Sequence, residues 1–204
     1  MPSPSYLATV ALSYLLGSIP FGYLLVYFVR REDVRSSGSG NIGATNVARR
    51  SPALGVLTLL LDAGKGFLAV WLARRLFPGS EQKWMMTVAA ACAMLGHMYP
   101  LWLRFRGGKG VATGLGSLAT VVPKSVLCMI GIFLVLVAAF RYISLASVVA
   151  ALALPVLAWW LREYIDVRQL MVFATVSALI LWKHRPNVAR LFLGTEPKIG
   201  ARNP

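Results

Sequence analysis

Long apolar blocks constrain the fold of this chain more than any other feature. They cover most of the 204 residues, of which 57% are hydrophobic, and short charged loops separate them. About 20 apolar residues suffice for one helical crossing of a bilayer. The blocks lie at about 5–29, 53–77, 84–103, 111–140, 142–161 and 168–183. The sequence therefore predicts an all-α integral membrane protein, with one membrane domain over residues 1–204.

The fourth block is too long for one ordinary crossing. Its 30 residues are divided by Pro123 and Lys124, and proline is common at the first position of a helix. We therefore predict a short helix over 111–122 and a full-length helix that begins at Pro123. This division gives seven transmembrane helices, whereas an undivided block would give six.

The count of crossings decides where the polar segments lie. With seven crossings and the N-terminus outside, the loops 30–52 and 104–110, the corner 141–147 and the tail 184–190 share one side. With six crossings, the corner and the tail lie on the opposite side. The shared side of the seven-helix arrangement carries more Lys and Arg, which predicts that it faces the cytoplasm and that the C-terminus is cytoplasmic.

The net charge of +14 would favour nucleic acid as the partner of a soluble chain. Here the cations lie mostly between apolar blocks, so we interpret them as topology signals and anion ligands. We therefore predict contact with membrane lipid but not with nucleic acid. Cys92 and Cys128 lie inside apolar blocks without metal-ligand spacing. They predict neither a zinc site nor a disulfide.

A glycine-rich polar loop, 36–50, lies between the first two blocks. Glycines let backbone N–H groups approach a phosphate, and Arg49 can neutralise its charge. A flexible connection between membrane helices is the alternative interpretation. The candidate ligands in this loop are Gly38, Ser39, Gly40, Asn41, Gly43, Thr45, Asn46 and Arg49.

A second glycine-rich loop precedes the fourth block. Lys109 lies between glycines at a predicted helix start, a favourable place for an anion. The segment lacks the spacing of a nucleotide-binding P-loop, and no strand precedes it. Arg104 and Arg106 fit the role of interfacial anchors. The candidate ligands are Gly107, Gly108, Lys109, Gly110 and Thr113.

Further candidates are ionisable groups near or inside the blocks. His97 and His184 are possible acid–base groups, although a single histidine near a membrane surface is more often structural. Asp62 and Lys65 lie three residues apart within the second block, which predicts an ion pair facing the bundle interior. A proton or ion path is the functional alternative for this pair.

Several motifs together resemble the bacterial acyl-phosphate:glycerol-3-phosphate acyltransferases, the PlsY family. The resemblance is carried by residues 38–49, 96–100 and 107–113. It extends to 15–22, 61–66, 142–147 and 184–190, and so spans nearly the whole chain. Pro186 is a departure, because relatives typically carry an acidic residue beside the asparagine.

The resemblance implies an enzyme of the bacterial inner membrane whose active site faces the cytoplasm. It would transfer an acyl chain from acyl phosphate to the sn-1 hydroxyl of glycerol 3-phosphate, giving lysophosphatidic acid and inorganic phosphate. This is the first step of phospholipid synthesis. A further enzyme would supply the acyl phosphate. No cofactor is implied, and the absence of a carboxylate cluster on the motif side predicts no metal site.

The resemblance also assigns roles to residues. Acyl phosphate would be surrounded by residues of the first loop: Ser39, Gly40, Asn41, Thr45 and Asn46. Glycerol 3-phosphate would be held by Arg49, Lys109, Ser144, His184 and Asn187. Residues near the second glycine-rich loop and near the start of the fifth block complete the binding set: His97, Gly107, Gly108, Gly110, Thr113, Ser144 and Ser147. The predicted catalytic groups are Ser39, Arg49, Lys109, His184 and Asn187. We expect a substrate-assisted reaction without a protein nucleophile.

Two other classes of protein fit a basic membrane bundle. An organic-phosphate transporter would need an internal repeat and polar groups at mid-membrane depth, and only Asp62 and Lys65 meet either condition. A structural membrane subunit would use the basic loops only to touch anionic lipid. Neither alternative explains the succession of motifs.

Overall fold

The computed structural model describes residues 4–200, which form helices and loops and no strand. They divide into two compact units, the first ending at Val121 and the second beginning at Val122. The first unit contains α1 (Pro4–Ser18), α2 (Phe21–Arg30), α3 (Ala44–Ala48), α4 (Pro52–Leu76), α5 (Gln82–Met98) and α6 (Val111–Leu118). The second unit contains α7 (Pro123–Phe140), α8 (Ile143–Trp160) and α9 (Val167–Phe192). The predicted all-helical fold is confirmed.

Local sequence explains where α4 and α9 begin. Ser51 caps α4 by accepting a hydrogen bond from the Leu54 amide, and Pro52 follows it at the first helical position. Asp166 caps α9 in the same way through the Gln169 amide, at 3.1 Å. Side-chain oxygens at this position satisfy amides that the first helical turn leaves without partners.

The start of α7 is capped from a distant part of the chain. As predicted, α7 begins at Pro123. The Glu163 carboxylate accepts hydrogen bonds from the backbone amides of Lys124 and Ser125, at 2.9 and 2.7 Å, and from the Ser125 hydroxyl at 2.7 Å. Glu163 thereby links the loop after α8 to the first turn of α7.

Close helix packing in the first unit depends on glycines. Gly17 and Gly96 lie where α1 meets α5, and a Cβ on either would overlap backbone atoms of the other helix. Gly66 and Gly116 have the same role between α4 and α6. Small residues at such crossings allow dispersion contacts between helices that the surrounding lipid cannot replace. The second unit packs α8 against both α7 and α9.

Five segments of the described chain are long and apolar enough to cross a membrane. They are Pro4–Arg30, Pro52–Leu76, Gln82–Leu103, Pro123–Phe140 and Ile143–Trp160. The predicted helix over 111–122 is shorter in the structure and ends at Leu118. Val122 has an extended φ of −139°, as expected before a proline. The seven-helix count, the orientation of the termini and the single domain stay predictions.

Candidate active site

Asn46 organises the first glycine-rich loop. Its side chain is 3% exposed, and its amide nitrogen lies 3.0 Å from the Val34 carbonyl, 3.2 Å from that of Ser37 and 2.9 Å from that of Asn41. Its amide oxygen accepts a hydrogen bond from the Ser39 amide at 2.9 Å. The amide group of one side chain thus joins residues 34, 37, 39 and 41. Asn46 therefore acts as a framework of the loop.

Two glycines of this loop have backbone conformations that other residues rarely adopt. Gly38 and Gly40 have φ values of 60° and 67°. A Cβ on Gly38 would also overlap the Asn46 amide oxygen. The Gly43 amide donates to the Asn41 side-chain oxygen at 2.9 Å, just before α3 begins. The loop is therefore a tightly wound structure and not a flexible connection.

The exposed face of the loop carries polar groups suited to an anion. Gly38, Ser39, Gly40, Thr45 and Arg49 are all exposed. Backbone N–H groups, hydroxyls and a guanidinium are the donors that bind phosphate. This face contains most of the ligands predicted in the loop.

The two neighbouring arginines of the loop differ in their surroundings. Arg50 donates from Nε to the Ser37 hydroxyl at 2.8 Å and forms an ion pair with Glu32. Within residues 4–200, no carboxylate lies at ion-pair distance from Arg49, which follows the C-terminal end of α3. Arg50 is thus committed to the fold, whereas the charge of Arg49 is not neutralised by a described carboxylate.

The second glycine-rich loop lies against the end of α5. The Gly107 and Gly108 amides donate to the carbonyls of Met98 and His97, at 3.3 and 3.0 Å. Gly110 has a φ of 83° and precedes α6, as predicted. Lys109 is half-buried, and Thr113, in the first turn of α6, is fully buried. The loop thus places Lys109 at the start of a helix, where its charge can meet an anion.

His97 is enclosed by protein on both sides of its ring. The side chain is 3% exposed, and its Nδ1 lies 3.5 Å from Oδ1 of Asp62. The same oxygen lies 2.8 Å from Nζ of Lys65, so the predicted ion pair is confirmed. A Cβ on Gly108 would overlap the His97 Nε2. Sequence reasoning found the ion pair but not its contact with His97, because that contact joins two different helices.

Asn187, a predicted ligand of the second unit, bonds a carboxylate that sequence reasoning missed, Glu196. Asn187 donates to Oε1 of Glu196 at 2.7 Å, and Nε of Arg190 donates to Oε2 at 2.8 Å. Glu196 is 7% exposed. Burial raises the pKa of this carboxyl, but hydrogen bonds from Asn187 and Arg190 outweigh burial and hold the pKa below its usual value.

His184 and Asn187 lie three residues apart on one face of α9, and both are buried. Nδ1 of His184 lies 2.8 Å from the Ile180 carbonyl. A carbonyl only accepts, so Nδ1 carries a hydrogen. Ser144 and Ser147 are buried in the first turns of α8. The second unit thus brings His184 and Asn187 together on one helix face.

A cavity of about 470 Å³ also lies in the first unit. Three guanidinium groups and two aromatic rings are among the groups that line it. The lining residues are Tyr23, Arg35, Trp102, Leu103, Arg104 and Arg106. None of them belongs to the predicted ligand set.

Comparison with known proteins decides the family. A sequence profile described as glycerol-3-phosphate acyltransferase matches residues 7–194. The chain belongs to this acyltransferase family. Among its relatives, the glycerol-3-phosphate acyltransferase of Ehrlichia chaffeensis is 43% identical over 93% of this chain and 94% of its own. That of Bordetella pertussis is 44% identical over 99% and 97%.

Two solved structures of PlsY, an integral membrane glycerol 3-phosphate acyltransferase, resemble this family member closely. The glycerol 3-phosphate form superposes with a TM-score of 0.88 at 38% identity, covering 96% of both chains. The lysophosphatidic acid form gives a TM-score of 0.85 at 37% identity, again over 96% of each chain. The resemblance to the PlsY family is therefore confirmed, and the chain is a multi-pass membrane protein. The roles of individual residues of this acyltransferase stay predictions.

Proposed function

We propose that this protein transfers a fatty acyl chain from acyl phosphate to the sn-1 hydroxyl of glycerol 3-phosphate. The products are lysophosphatidic acid and inorganic phosphate. The observation that carries the proposal is the similarity to PlsY in its glycerol 3-phosphate form, at a TM-score of 0.88 over 96% of the chain. The exposed polar face of the first loop and Lys109 in the second supply the phosphate ligands that such a reaction needs.

Binding of two phosphate groups follows from the two loops. In this proposal the acyl phosphate binds on the exposed face of the first loop, where the hydroxyls of Ser39 and Thr45 donate to it. Arg49 and Lys109 bind the phosphate of glycerol 3-phosphate. Both are cations: Arg49 is exposed near Gly38, and Lys109 is half-buried between two glycines. The motif resemblance to PlsY assigns Ser144, His184 and Asn187 to the same substrate. Asn46 contributes by holding the loop.

The chemical step is a direct acyl transfer. The glycerol hydroxyl oxygen attacks the acyl carbonyl carbon, the bond from that carbon to the phosphate oxygen breaks, and a phosphate oxygen takes the hydroxyl proton. Acyl phosphate is already activated, so placing the hydroxyl contributes about 7–11 kcal/mol, and donors to the developing oxyanion contribute about 3–4 kcal/mol each. No protein nucleophile is required. The burial of His97 and His184, at 3% and 2% exposure, supports a mechanism in which neither histidine is an essential base.

We place the site on the cytoplasmic side of a bacterial inner membrane. The first loop and its flanks carry many cations, among them Arg30, Arg31, Arg49 and Arg50, and cytoplasmic loops are enriched in such residues. The acyl chain of the donor enters from the bilayer, while glycerol 3-phosphate comes from water. An enzyme that forms acyl phosphate supplies the donor.

A donor comparison tests this proposal. Purified protein is given radiolabelled glycerol 3-phosphate with either palmitoyl phosphate or palmitoyl-CoA, without added metal. We expect labelled lysophosphatidic acid with palmitoyl phosphate alone. Product formed only with palmitoyl-CoA would refute the donor but keep the acyltransferase. A folded preparation that forms product with neither donor would refute the function.

A further inference from the structure

The starting point is a charged cluster in the interior of the first unit. Asp62 and Lys65 belong to α4, a candidate membrane span, yet their side chains are each only 2% exposed. Lys65 Nζ also donates to the Ile19 carbonyl at 2.7 Å, in the break between α1 and α2. Ionisable side chains within spans are costly and usually serve a function. A buried ion pair is also weak evidence for added stability, because desolvation offsets the attraction.

The carboxylate of this cluster has a second partner. Oδ1 of Asp62 faces Lys65 Nζ at 2.8 Å and His97 Nδ1 at 3.5 Å. A carboxylate beside Nδ1 favours the tautomer with its hydrogen there and fixes the orientation of the ring. Lys65 balances the charge of Asp62. The pair therefore places a carboxylate beside the imidazole of the neighbouring helix.

The opposite edge of that imidazole supports the second glycine-rich loop. The Gly108 backbone lies so close to Nε2 that a Cβ would overlap it. The Gly108 amide also donates to the His97 carbonyl at 3.0 Å. A Cβ on Gly107 would in turn overlap the His97 carbonyl oxygen and the Pro100 ring. The His97 ring therefore packs directly against the backbone of the loop that carries Lys109.

We propose that Asp62 is a positioning residue, which acts through His97 to hold the loop 107–110 and Lys109 in the geometry that binds the phosphate of glycerol 3-phosphate. The proposal rests on the function proposed above. It gives the ion pair a role beyond packing α4. It also assigns His97 to the support of the loop and not to proton transfer.

Kinetics of Asp62→Asn provide the first test. We expect the KM for glycerol 3-phosphate to rise about 10- to 100-fold, since misplacing a substrate ligand by about 1 Å can cost that much. The KM for palmitoyl phosphate should stay within about twofold, as for sites that do not interact. Because Asp62→Asn leaves Lys65 without its carboxylate, Asp62→Asn/Lys65→Met is measured alongside, and the same rise is expected. Thr58→Val is the matched control, as Thr58 is buried one turn away in α4 and its hydroxyl donates to the Leu54 carbonyl of the same helix.

A double-mutant cycle tests the route through His97. If Asp62 acts through the imidazole, adding Asp62→Asn to His97→Gln raises the KM by less than about twofold further. Full additivity of the two effects would overturn the route. Asp62 variants that fold and keep the KM of Thr58→Val would overturn the positioning role itself.

A measurement without substrate separates this inference from the proposed function. Hydrogen–deuterium exchange of the Gly107 and Gly108 amides should lose protection in Asp62→Asn and in the paired variant, and keep it in Thr58→Val. Unchanged protection would overturn the inference even if acyl transfer is demonstrated. If the wild-type protein shows no acyl transfer, the proposed function fails, and the exchange comparison alone decides the role of Asp62.

Discussion

At the scale of single residues, Lys109 and Arg49 are the cations that we assign to the phosphate of glycerol 3-phosphate. For Lys109→Ala we predict a rise in the KM for glycerol 3-phosphate of about 10- to 100-fold. Hydrogen bonds to charged groups contribute about 1.5–3 kcal/mol, and each 1.4 kcal/mol is a factor of ten. The turnover number should change less, because Lys109 is assigned to the phosphate of glycerol 3-phosphate and not to the reacting acyl carbonyl. Initial rates at saturating palmitoyl phosphate measure both constants.

Lys124→Ala is the control, since Lys124 is exposed at the start of α7 and has no assigned role. It should behave as the wild type. Unchanged kinetics in Lys109→Ala would remove Lys109 from the site.

Asn46 is a different case, because its side chain holds the loop from within. Asn46→Asp keeps the shape but turns an oxygen toward the carbonyls of Val34, Ser37 and Asn41. We predict loss of activity to background and a loss of about 1–3 kcal/mol of stability, the usual cost of an unsatisfied buried group. Phosphate release and thermal unfolding in detergent measure the two effects. Gln82→Ala, which removes an exposed bond to the Arg74 carbonyl, should change neither; an active Asn46→Asp protein would contradict the framework role.

At the scale of elements, Glu196 attaches the segment that follows α9 to that helix. The carboxyl accepts hydrogen bonds from Asn187 and Arg190. The following segment is also held, since the Ile199 carbonyl accepts from the Arg141 guanidinium at 2.6 Å. The segment after α9 thus folds back onto the corner between α7 and α8.

This arrangement predicts a pH dependence of stability. The pKa of Glu196 lies below its usual value of 4.5 in the folded protein. The stability that the ionised carboxyl contributes is therefore complete above pH 4.5 and is lost as the pH falls through the lowered pKa. We predict that Glu196→Gln lowers stability by about 1 kcal/mol at pH 7, the difference between charged and neutral hydrogen bonds. The difference from wild type should shrink below about pH 4.5. Thermal unfolding across pH measures it, with the exposed Glu81→Gln as control; a constant difference would contradict the assignment.

Much of the element pattern could be predicted from the sequence. Pro123 marked the start of α7, and the glycines before Val111 marked the start of α6. The extent of α6 was less predictable. Pro123 explains why Val122 is not helical, but the helix already ends at Leu118. Periodic or apolar blocks give the existence of a helix more reliably than its last turn.

Sequence reasoning did not predict the contacts that join different elements of the candidate site. Glu196 lies beyond the motif that contains Asn187 and Arg190, and only the folding back of the tail brings it to them. His97 and Asp62 are far apart in sequence and meet where α4 packs against α5. Such pairs leave no spacing signal in a single sequence, whereas the local pair Asp62 and Lys65 does.

At the scale of the whole molecule, the number of crossings determines on which side each loop lies. α6 has only eight residues, about 12 Å at 1.5 Å per residue. The count therefore depends on whether the segment that contains α6 crosses the membrane separately from α7. We predict that the loop 30–52 and the tail after α9 lie on the cytoplasmic side. Six crossings would place them on opposite sides.

Cysteine labelling tests this topology. In a variant without Cys92 and Cys128, Ser80→Cys should react with an impermeant maleimide in intact spheroplasts. Ser36→Cys and Thr195→Cys should react only after permeabilisation, since all three positions are exposed in the fold. Labelling of Thr195→Cys in intact spheroplasts, with Ser36→Cys protected, would indicate six crossings and overturn the seven-helix arrangement.

The most direct test of the central claim is the stoichiometry of the reaction catalysed by the purified protein. Inorganic phosphate and lysophosphatidic acid are measured together from palmitoyl phosphate and glycerol 3-phosphate, for wild type and for Ser39→Ala. We predict one phosphate released for each lysophosphatidic acid formed, only when both substrates are present, and a large loss of both in the variant. Phosphate release that does not need glycerol 3-phosphate, or no release from folded protein, would contradict the account.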